Sequence, residues 1–307
     1  MFGHPGRLLA SSCLLFLTTL TAAASAAEGD ERYVVQFAPS GRVGQRYNMQ
    51  LTAQQQLKRI IRSGEVVLNK QDSTVKIEFE ATVEILAVNE RKQETKRHYV
   101  VHKAVATMGD QQMTIVEPET EMTAEANDGE PRFVRSDGRA LSQAAQQLLP
   151  RILLFDTDEV TTNDVFGSDT PRKVGDEWQG EPKALLAMLG QEEENIQAEQ
   201  IKSRAKLASA TPTEKGVLLD ILLHTELALP LKESPMEGAD PVSASVVIDH
   251  RVHLYEDSDH GPEAQSTRVA TFQVLKGKVD SPLEGQTFDG TNLESQTAKY
   301  EQLPDAN

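Results

Sequence analysis

Cysteine is almost absent from this 307-residue chain, which contains only Cys13. A single cysteine excludes an intramolecular disulfide framework as well as multi-cysteine zinc and iron–sulfur sites. Cys13 also lies within an N-terminal segment that is predicted below to be removed, so a cysteine nucleophile is excluded too. The fold must therefore be held by its hydrophobic core, for which a chain of this length is sufficient.

Basic residues are also in short supply. The sequence has 31 Lys and Arg against 47 Asp and Glu, which gives a formal net charge of −16. Binding to nucleic acid or to anionic lipid depends on a surplus of positive charge, so we expect no nucleic acid partner and no general affinity for anionic lipid. The mean hydropathy of −0.43 excludes a protein with several membrane-spanning helices.

The chain lacks the short motifs that mark the commonest enzyme sites. Beyond residue 26 it contains no G-x-S-x-G, no G-x-x-x-x-G-K-[ST], no G-x-G-x-x-G and no H-E-x-x-H. These motifs mark nucleophile elbows, phosphate loops, dinucleotide-binding turns and zinc-binding helices. We therefore expect no cofactor and favour a protein that is not an enzyme.

The first 26 residues have the pattern of an export signal. Arg7 supplies a positive charge, residues 8–20 are mostly apolar, and Ala24-Ser25-Ala26 fits the small-x-small rule for signal peptidase. The apolar run is too short for a lasting membrane helix, so we expect cleavage after Ala26 and no transmembrane span afterwards. An exported chain without disulfides favours a bacterial protein in the periplasm or outside the cell.

Alternation of apolar and polar residues predicts long β-strands. In residues 74–85 the odd positions from Val75 to Ile85 are apolar and the even positions are polar. A half-buried strand separates the two sets in this way, whereas a helix mixes them. The same pattern predicts strands over residues 46–57, 95–108, 217–229, 242–254 and 267–275, and shorter or weaker strands over residues 33–37, 65–68, 112–116 and 196–208.

Two mid-chain segments predict helices instead. An apolar stripe at helical spacing runs from Leu141 to Ile152, with Ser136 or Asp137 available as its N-cap. A second, short helix is predicted over residues 182–189, and an acidic loop over residues 156–169 separates the two.

These elements predict a mainly β protein: a large curled antiparallel sheet, half-barrel or barrel-like, with one or two short helices. An α+β fold is the alternative. Long strands twist and curl, so a helical insertion near residues 139–155 would pack into the concave face. We assign residues 1–26 to the signal peptide, 27–283 to a single domain, and the polar segment 284–307 to a loose tail. Two stacked β domains divided near the helical insertion are the second choice.

The densest titratable group begins at Asp249. His250 falls on the apolar face of its predicted strand and His253 on the polar face, so the two cannot hold one ion, and we predict no metal site. We expect a buried, hydrogen-bonded His250.

Asp220, His224 and Glu226 share the less apolar face of the preceding predicted strand. If that face lines a cavity, these residues are the leading group for acid–base chemistry. A metal-dependent or acid–base hydrolase that uses this face, or the region of His250 and His253, is the alternative function.

The single tryptophan follows a turn motif. Residues 171–178 read P-R-K-V-G-D-E-W, in which Gly175-Asp176 predicts a tight turn and Trp178 an anchor against the core. Stacking of Trp178 on a ligand is the alternative. With the leader and the long strands, this motif resembles exported β-rich bacterial proteins classed as domains of unknown function. The overall pattern is similar to lipoprotein-carrier half-barrels, a resemblance that implies a curled sheet wrapped around an acyl-chain cavity.

We therefore predict an exported, non-catalytic envelope protein. Its ligand would be apolar or amphipathic, such as a lipid, and held in the curled sheet; an envelope protein partner is the other possibility. The candidate ligand-binding residues are Trp178, His224 and His250. The exposed edges of long strands would permit dimerisation, but no residue specifies an oligomeric state.

Overall fold

The computed structural model describes residues 31–37, 41–126, 131–155, 159–188, 200–229, 237–256 and 262–304. The predicted signal peptide and its cleavage site lie outside these residues. The described residues from Arg32 onward belong to one compact unit.

An antiparallel sheet of twelve strands makes up most of the described chain. Eleven of the strands, in spatial order, are β7 (Arg132–Arg135), β6 (Thr120–Glu125), β4 (Glu94–Met108), β3 (Val66–Val88), β2 (Arg46–Ser63), β14 (Gln286–Gln302), β13 (Ala264–Gly277), β12 (Ala239–Tyr255), β11 (Gly216–Leu229), β10 (Ile201–Thr213) and β9 (Glu177–Gln179). Strand β5 (Gln111–Thr114) pairs with β4. A separate pair joins β1 (Tyr33–Val35) to β8 (Ser168–Arg172). The mainly β, antiparallel prediction is confirmed, and the large sheet is open, with β7 and β9 at its edges.

Strand β14 shows that the predicted loose tail is wrong. It pairs with β2 along its whole length and with β13 on its other side, so the last described strand lies near the centre of the sheet. Its alternation is hidden because the inward positions between Phe288 and Ala298 are polar or glycine. Asn292 and Glu294 bond to each other and to Gln55 of β2 instead of joining a core.

Most apolar side chains gather on one face of the sheet, here called the inner face, in two large cores and one small cluster around Leu275 and Phe288. The N-terminal core surrounds Phe79 and Tyr99, both fully buried, and is covered by helix α1 (Gln143–Ile152) through Leu149. The C-terminal core is built on β10 to β12. It is covered by β1 and by helices α2 (Thr162–Phe166) and α3 (Pro182–Met188).

The helices differ from the predictions at their ends. Helix α1 is capped by Ser142, whose Oγ accepts from the Ala145 N–H at 3.1 Å, and the predicted caps at 136 and 137 are wrong. Helix α2 interrupts the predicted acidic loop, because Asp164 accepts from the Thr161 N–H at 2.7 Å and closes a helical first turn. Helix α3 confirms the second prediction. None of the described helices is long and apolar enough to cross a membrane.

Candidate functional site

A cavity of about 540 Å³ lies on the inner face of the sheet, between the two cores. Met49 and Leu51 of the N-terminal core line it together with Val252 and Leu254 of the C-terminal core. It lies where the covering elements end, with residues 152–155 at the end of α1 and residues 36–37 after β1 contributing walls. The cavity is thus a gap between two separately covered halves of one sheet.

The most enclosed charges of the cavity are the ion pair of Glu94 and Arg97. Their side chains are 21% and 15% exposed, and Arg97 Nε donates to Glu94 Oε2. Arg97 Nη1 donates to the carbonyl oxygen of Leu154 at 3.0 Å, and the guanidinium carbon lies 4.3 Å from the centre of the Phe155 ring. The pair therefore ties strand β4 to the segment that follows α1.

A tight turn between β3 and β4 sets the position of this pair. The side-chain oxygen of Asn89 accepts from the N–H groups of Arg91 and Gln93, both at 3.0 Å, which forms an Asx turn. Strand β4 then begins at Glu94. Alternation along the strand places Arg97 on the face that carries the buried Tyr99.

Three tyrosines surround the ion pair. The Tyr47 hydroxyl donates to Glu94 Oε2 at 3.4 Å, and Arg97 Nη1 donates to the Tyr99 hydroxyl at 3.4 Å. The Tyr300 ring meets the Tyr47 ring edge-on, with ring centres 5.8 Å apart. Burial raises the pKa of Tyr47 well above its ordinary value, raises that of Tyr99, and raises the pKa of Tyr300 to about 12. All three hydroxyls therefore keep their protons at neutral pH.

His250 lines the same cavity from strand β12. Its Nδ1 is 2.6 Å from Oγ1 of Thr267, the residue of β13 that pairs with His250 in the sheet. Burial lowers the pKa of His250 to about 4, so the imidazole is neutral at neutral pH. The structure confirms the inward position and the hydrogen bond that the sequence predicts, while a ligand-binding role for His250 stays a prediction.

Trp178 lies in the C-terminal core. It is 9% exposed, and its Nε1 donates to the carbonyl oxygen of Phe166 at 2.9 Å. The guanidinium carbon of Arg172 lies 5.0 Å from the ring centre. Gly175 lies in the turn before the strand that carries Trp178, and its φ of 93° is a conformation that favours glycine. The predicted turn and core anchor are confirmed, and stacking of Trp178 on a ligand stays a prediction.

The outer face of β11 and β12 holds most of the other predicted site residues. Asp220 accepts from Arg251 Nε at 2.8 Å and from Nη2 at 2.6 Å, and its Oδ1 lies 3.3 Å from His253 Nε2. His250 and His253 thus lie on opposite faces, as strand alternation predicts. They do not combine into one hydrolytic or metal-binding set.

His224 also lies on the outer face, between two carboxylates. Its Nδ1 is 2.7 Å from Asp249 Oδ1 and its Nε2 is 3.2 Å from Glu226 Oε1. Among the residues that the structure describes, no three His, Cys, Asp or Glu side chains form a group that could hold a metal ion. A ligand role for His224 stays a prediction, at a surface away from the cavity.

The ion pair and Tyr300 were missed by the sequence analysis. Glu94 lies just before the predicted strand over residues 95–108, and Tyr300 lies in the predicted tail. One signal was present: Arg97 stands two residues before Tyr99 and four before Val101 in a predicted strand, at a position of the apolar face. A charged residue at an inward position of an alternating strand marks either a buried ion pair or a cavity.

Comparison with known proteins gives no family for this chain. No family model and no curated protein matches it. Among solved structures it is similar to lipovitellin, in a study of lipid–protein interactions in that protein, with 8% identity and a TM-score of 0.31 over 87% of this chain. The match covers 26% of the lipovitellin chain. It is also similar to OpdQ of Pseudomonas aeruginosa, with 7% identity and a TM-score of 0.18 over 84% of this chain and 98% of that one. Scores this low assign neither a fold family nor a function.

Proposed function

We propose that this chain is an exported, non-catalytic protein that binds a small amphipathic ligand in the inner-face cavity. The observation that carries the proposal is the cavity of about 540 Å³, a size typical of sites for small organic ligands. Such sites combine mainly apolar walls with a few placed polar groups. This cavity has both.

The apolar part would hold the body of the ligand. Met49 and Leu51 from one core and Val252 and Leu254 from the other line the same space. Each square ångström of apolar surface that the ligand buries there contributes about 25 cal/mol to binding. An alkyl chain or another elongated apolar group fits such walls without leaving a polar atom unpaired.

The polar part favours a head group that accepts hydrogen bonds. Besides the mutually paired Glu94 and Arg97, the charged residues lining the cavity are Lys92, Lys215 and Glu263. This local excess of positive charge stands out in a chain with a net charge of −16. We therefore infer a neutral or anionic head group, with a carboxylate as the simplest case.

The contacts of the enclosed groups suit a rigid binding wall. Glu94 is held by Arg97 and Tyr47, and His250 by Thr267. These contacts fix the orientation of the carboxylate and of the imidazole, so a ligand would meet polar groups that are already in place. The chain beyond residue 26 also lacks the motifs of the commonest enzyme sites, which favours binding over catalysis.

Narrowing the cavity tests the proposal. In a titration with a fluorescent single-chain fatty acid, Val252→Phe and Thr267→Phe should each weaken binding by about tenfold or more, because a ring would occupy the ligand's space. Leu222→Phe, on the outer face of β11, is the matched control and should bind as the unmodified protein does. Thermal unfolding of each variant establishes that it is folded.

Two results would contradict the proposal. One is unchanged affinity in both cavity variants, and the other is no binding of any single-chain carboxylate by the unmodified protein in native mass spectrometry. Tighter binding of an alkylamine than of the carboxylate of equal length would overturn the head-group assignment alone.

Export is a separate part of the proposal and rests on the pattern of residues 1–26. Expressed in a bacterium, the chain should be recovered from the periplasm or the medium with Ala27 as its first residue. Intact-mass measurement checks this. Recovery from the cytosol with residues 1–26 still attached would contradict it.

A further inference from the structure

The charged residues that line the cavity all lie at one end of the sheet. Lys92 is in the turn before β4, Lys215 is in the turn between β10 and β11, and Glu263 directly precedes β13. The antiparallel pairing brings these turns to the same end as the start of β4, where Glu94 and Arg97 lie. This part of the cavity is here called the charged end.

The opposite end of the cavity carries three uncharged polar side chains in one row. Gln296 of β14 pairs with Thr267 of β13, and Thr267 pairs with His250 of β12. All three line the cavity, whereas the next inner-face residue of each strand, away from the charged end, does not. The cavity therefore ends at these three residues, which are here called the polar row.

An apolar band separates the polar row from the charged end. Leu51 of β2, Ala298 of β14 and Val252 of β12 lie one inner-face row closer to the charged end. The remaining residue of that row, Gln265, donates its side-chain N–H to the Tyr300 hydroxyl at 2.7 Å. A ligand that reaches the polar row must therefore pass a largely apolar stretch of wall.

The polar row has hydrogen-bonding positions that the protein leaves open. Nδ1 of His250 is 2.6 Å from Oγ1 of Thr267, and Nε2 of Gln296 donates to the carbonyl oxygen of Ile152 at 3.0 Å. Among the described residues, none bonds to the other ring nitrogen of His250 or to the side-chain oxygen of Gln296. A ligand group at this end can use both positions.

The surroundings of the polar row favour an uncharged ligand group. Burial keeps the pKa of His250 at about 4, so the imidazole brings no charge at neutral pH. Glu294, the next inner-face residue of β14, is acidic and would oppose an anion. A hydroxyl suits the row because it can donate to the Gln296 oxygen, and it can pair with Nε2 of His250 in either tautomer.

The spacing of the two ends sets the length of the ligand. Thr267 follows Glu263 by four residues along β13, a distance of about 13 Å at the rise of a strand. An extended chain of single bonds advances about 1.2 Å per bond, as the polypeptide backbone does, so about eleven bonds span this distance. We propose that the cavity selects a chain with a carboxylate at one end and a hydroxyl at the other, which the polar row recognises. This inference rests on the proposed function and adds the second polar group of the ligand.

Three acids of equal chain length test the inference on the unmodified protein by isothermal titration calorimetry. ω-Hydroxydodecanoate should bind about three- to tenfold more tightly than dodecanoate, which is the net effect of a typical hydrogen bond. In a purely apolar pocket the added hydroxyl would weaken binding instead. α-Hydroxydodecanoate is the control, because its hydroxyl lies beside the carboxylate, and it should show no such gain.

Removing the polar row should remove the preference. The double variant His250→Leu/Gln296→Leu should bind dodecanoate at least as tightly as ω-hydroxydodecanoate, since no polar group then meets the hydroxyl. His250→Gln keeps a donor and an acceptor and should retain the preference. His98→Leu, on the outer face of β4, is the matched control and should bind both acids as the unmodified protein does. Thermal unfolding of each variant establishes that it is folded.

The possible failures are distinguishable. Equal affinity for the two acids, or tighter binding of dodecanoate, overturns the inference and leaves the proposed function intact. A preference for ω-hydroxydodecanoate that persists in the double variant, or that α-hydroxydodecanoate shares, also overturns the inference alone. Binding of neither dodecanoate nor ω-hydroxydodecanoate overturns the inference together with the proposed function.

Discussion

The inner and outer faces of the sheet hold the same kinds of charged side chain in different surroundings. On the inner face Glu94 and Arg97 are both mostly enclosed, at 21% and 15% exposure. On the outer face Asp220 is enclosed to a similar degree, but its partner Arg251 is 53% exposed. An enclosed ion pair has lost the hydration of both charges, so losing one partner is costly, whereas an exposed partner is readily replaced by water. Residue type alone therefore says little about the role of a charge here.

The largest effect should come from breaking the inner pair. Arg97→Leu leaves the Glu94 carboxylate enclosed without its cation and should lower the free energy of unfolding by about 3 kcal/mol or more. Urea unfolding followed by circular dichroism measures this. The double variant Glu94→Gln/Arg97→Leu is the control and should regain much of the loss, since no unpaired charge remains. A loss below about 1 kcal/mol in Arg97→Leu would mean that the inner pair behaves like the outer one.

The next effect concerns the cover of the inner face. Leu149 of α1 is fully buried, and Leu149→Ala should cost about 2–5 kcal/mol through lost burial and the cavity left behind. Leu148→Ala, at the half-buried neighbour, should cost clearly less. Leu185→Ala makes the equivalent change in the C-terminal core, where Leu185 is also fully buried.

Thermal unfolding of these three variants also tests whether the two cores unfold together. Because both cores share one continuous sheet, each variant should shift a single unfolding transition. Calorimetry that resolves two transitions, with Leu149→Ala moving only one and Leu185→Ala only the other, would show that the cavity separates two independent halves.

The third effect is a dependence of the free energy of unfolding on pH, which is expected if His250 is enclosed in the folded protein. In the folded state the pKa of His250 is about 4, below the ordinary value of 6.5, so between these values the unfolded chain binds more protons than the folded one. The free energy of unfolding should therefore fall as pH is lowered from about 6.5 to 4, by up to about 1.4 kcal/mol per pH unit. His250→Gln should remove that part of the slope, and Thr267→Val, which keeps the imidazole, should retain it. Equal slopes for the unmodified protein and His250→Gln would contradict the enclosed position.

Much of the fold follows from the sequence because strand alternation is local and strong. Apolar and polar residues alternate without interruption from Val75 to Ile85. The positions of His250 and His253 on opposite faces follow from their separation of three residues along one strand. The central position of β14 was missed because Asn292 and Glu294 face inward but bond to each other instead of a core. The cavity depends on where α1 and β1 end relative to strands that are distant in sequence. No local pattern specifies that distance, so the meeting of Arg97 with Leu154 could not be predicted.

The smallest effect should come from the outer pair. Arg251→Gln removes two hydrogen bonds to Asp220, but Arg251 is half exposed, and water takes its place at a cost of about 1 kcal/mol or less. Urea unfolding at low and high salt measures this, and the difference between Arg251→Gln and the unmodified protein should shrink as salt screens the pair. Lys202→Gln, whose amine is 3.3 Å from Glu226 on the same face, is the control and should behave in the same way. A loss in Arg251→Gln as large as that in Arg97→Leu would mean that the outer face is covered in solution, by a second copy or by another molecule.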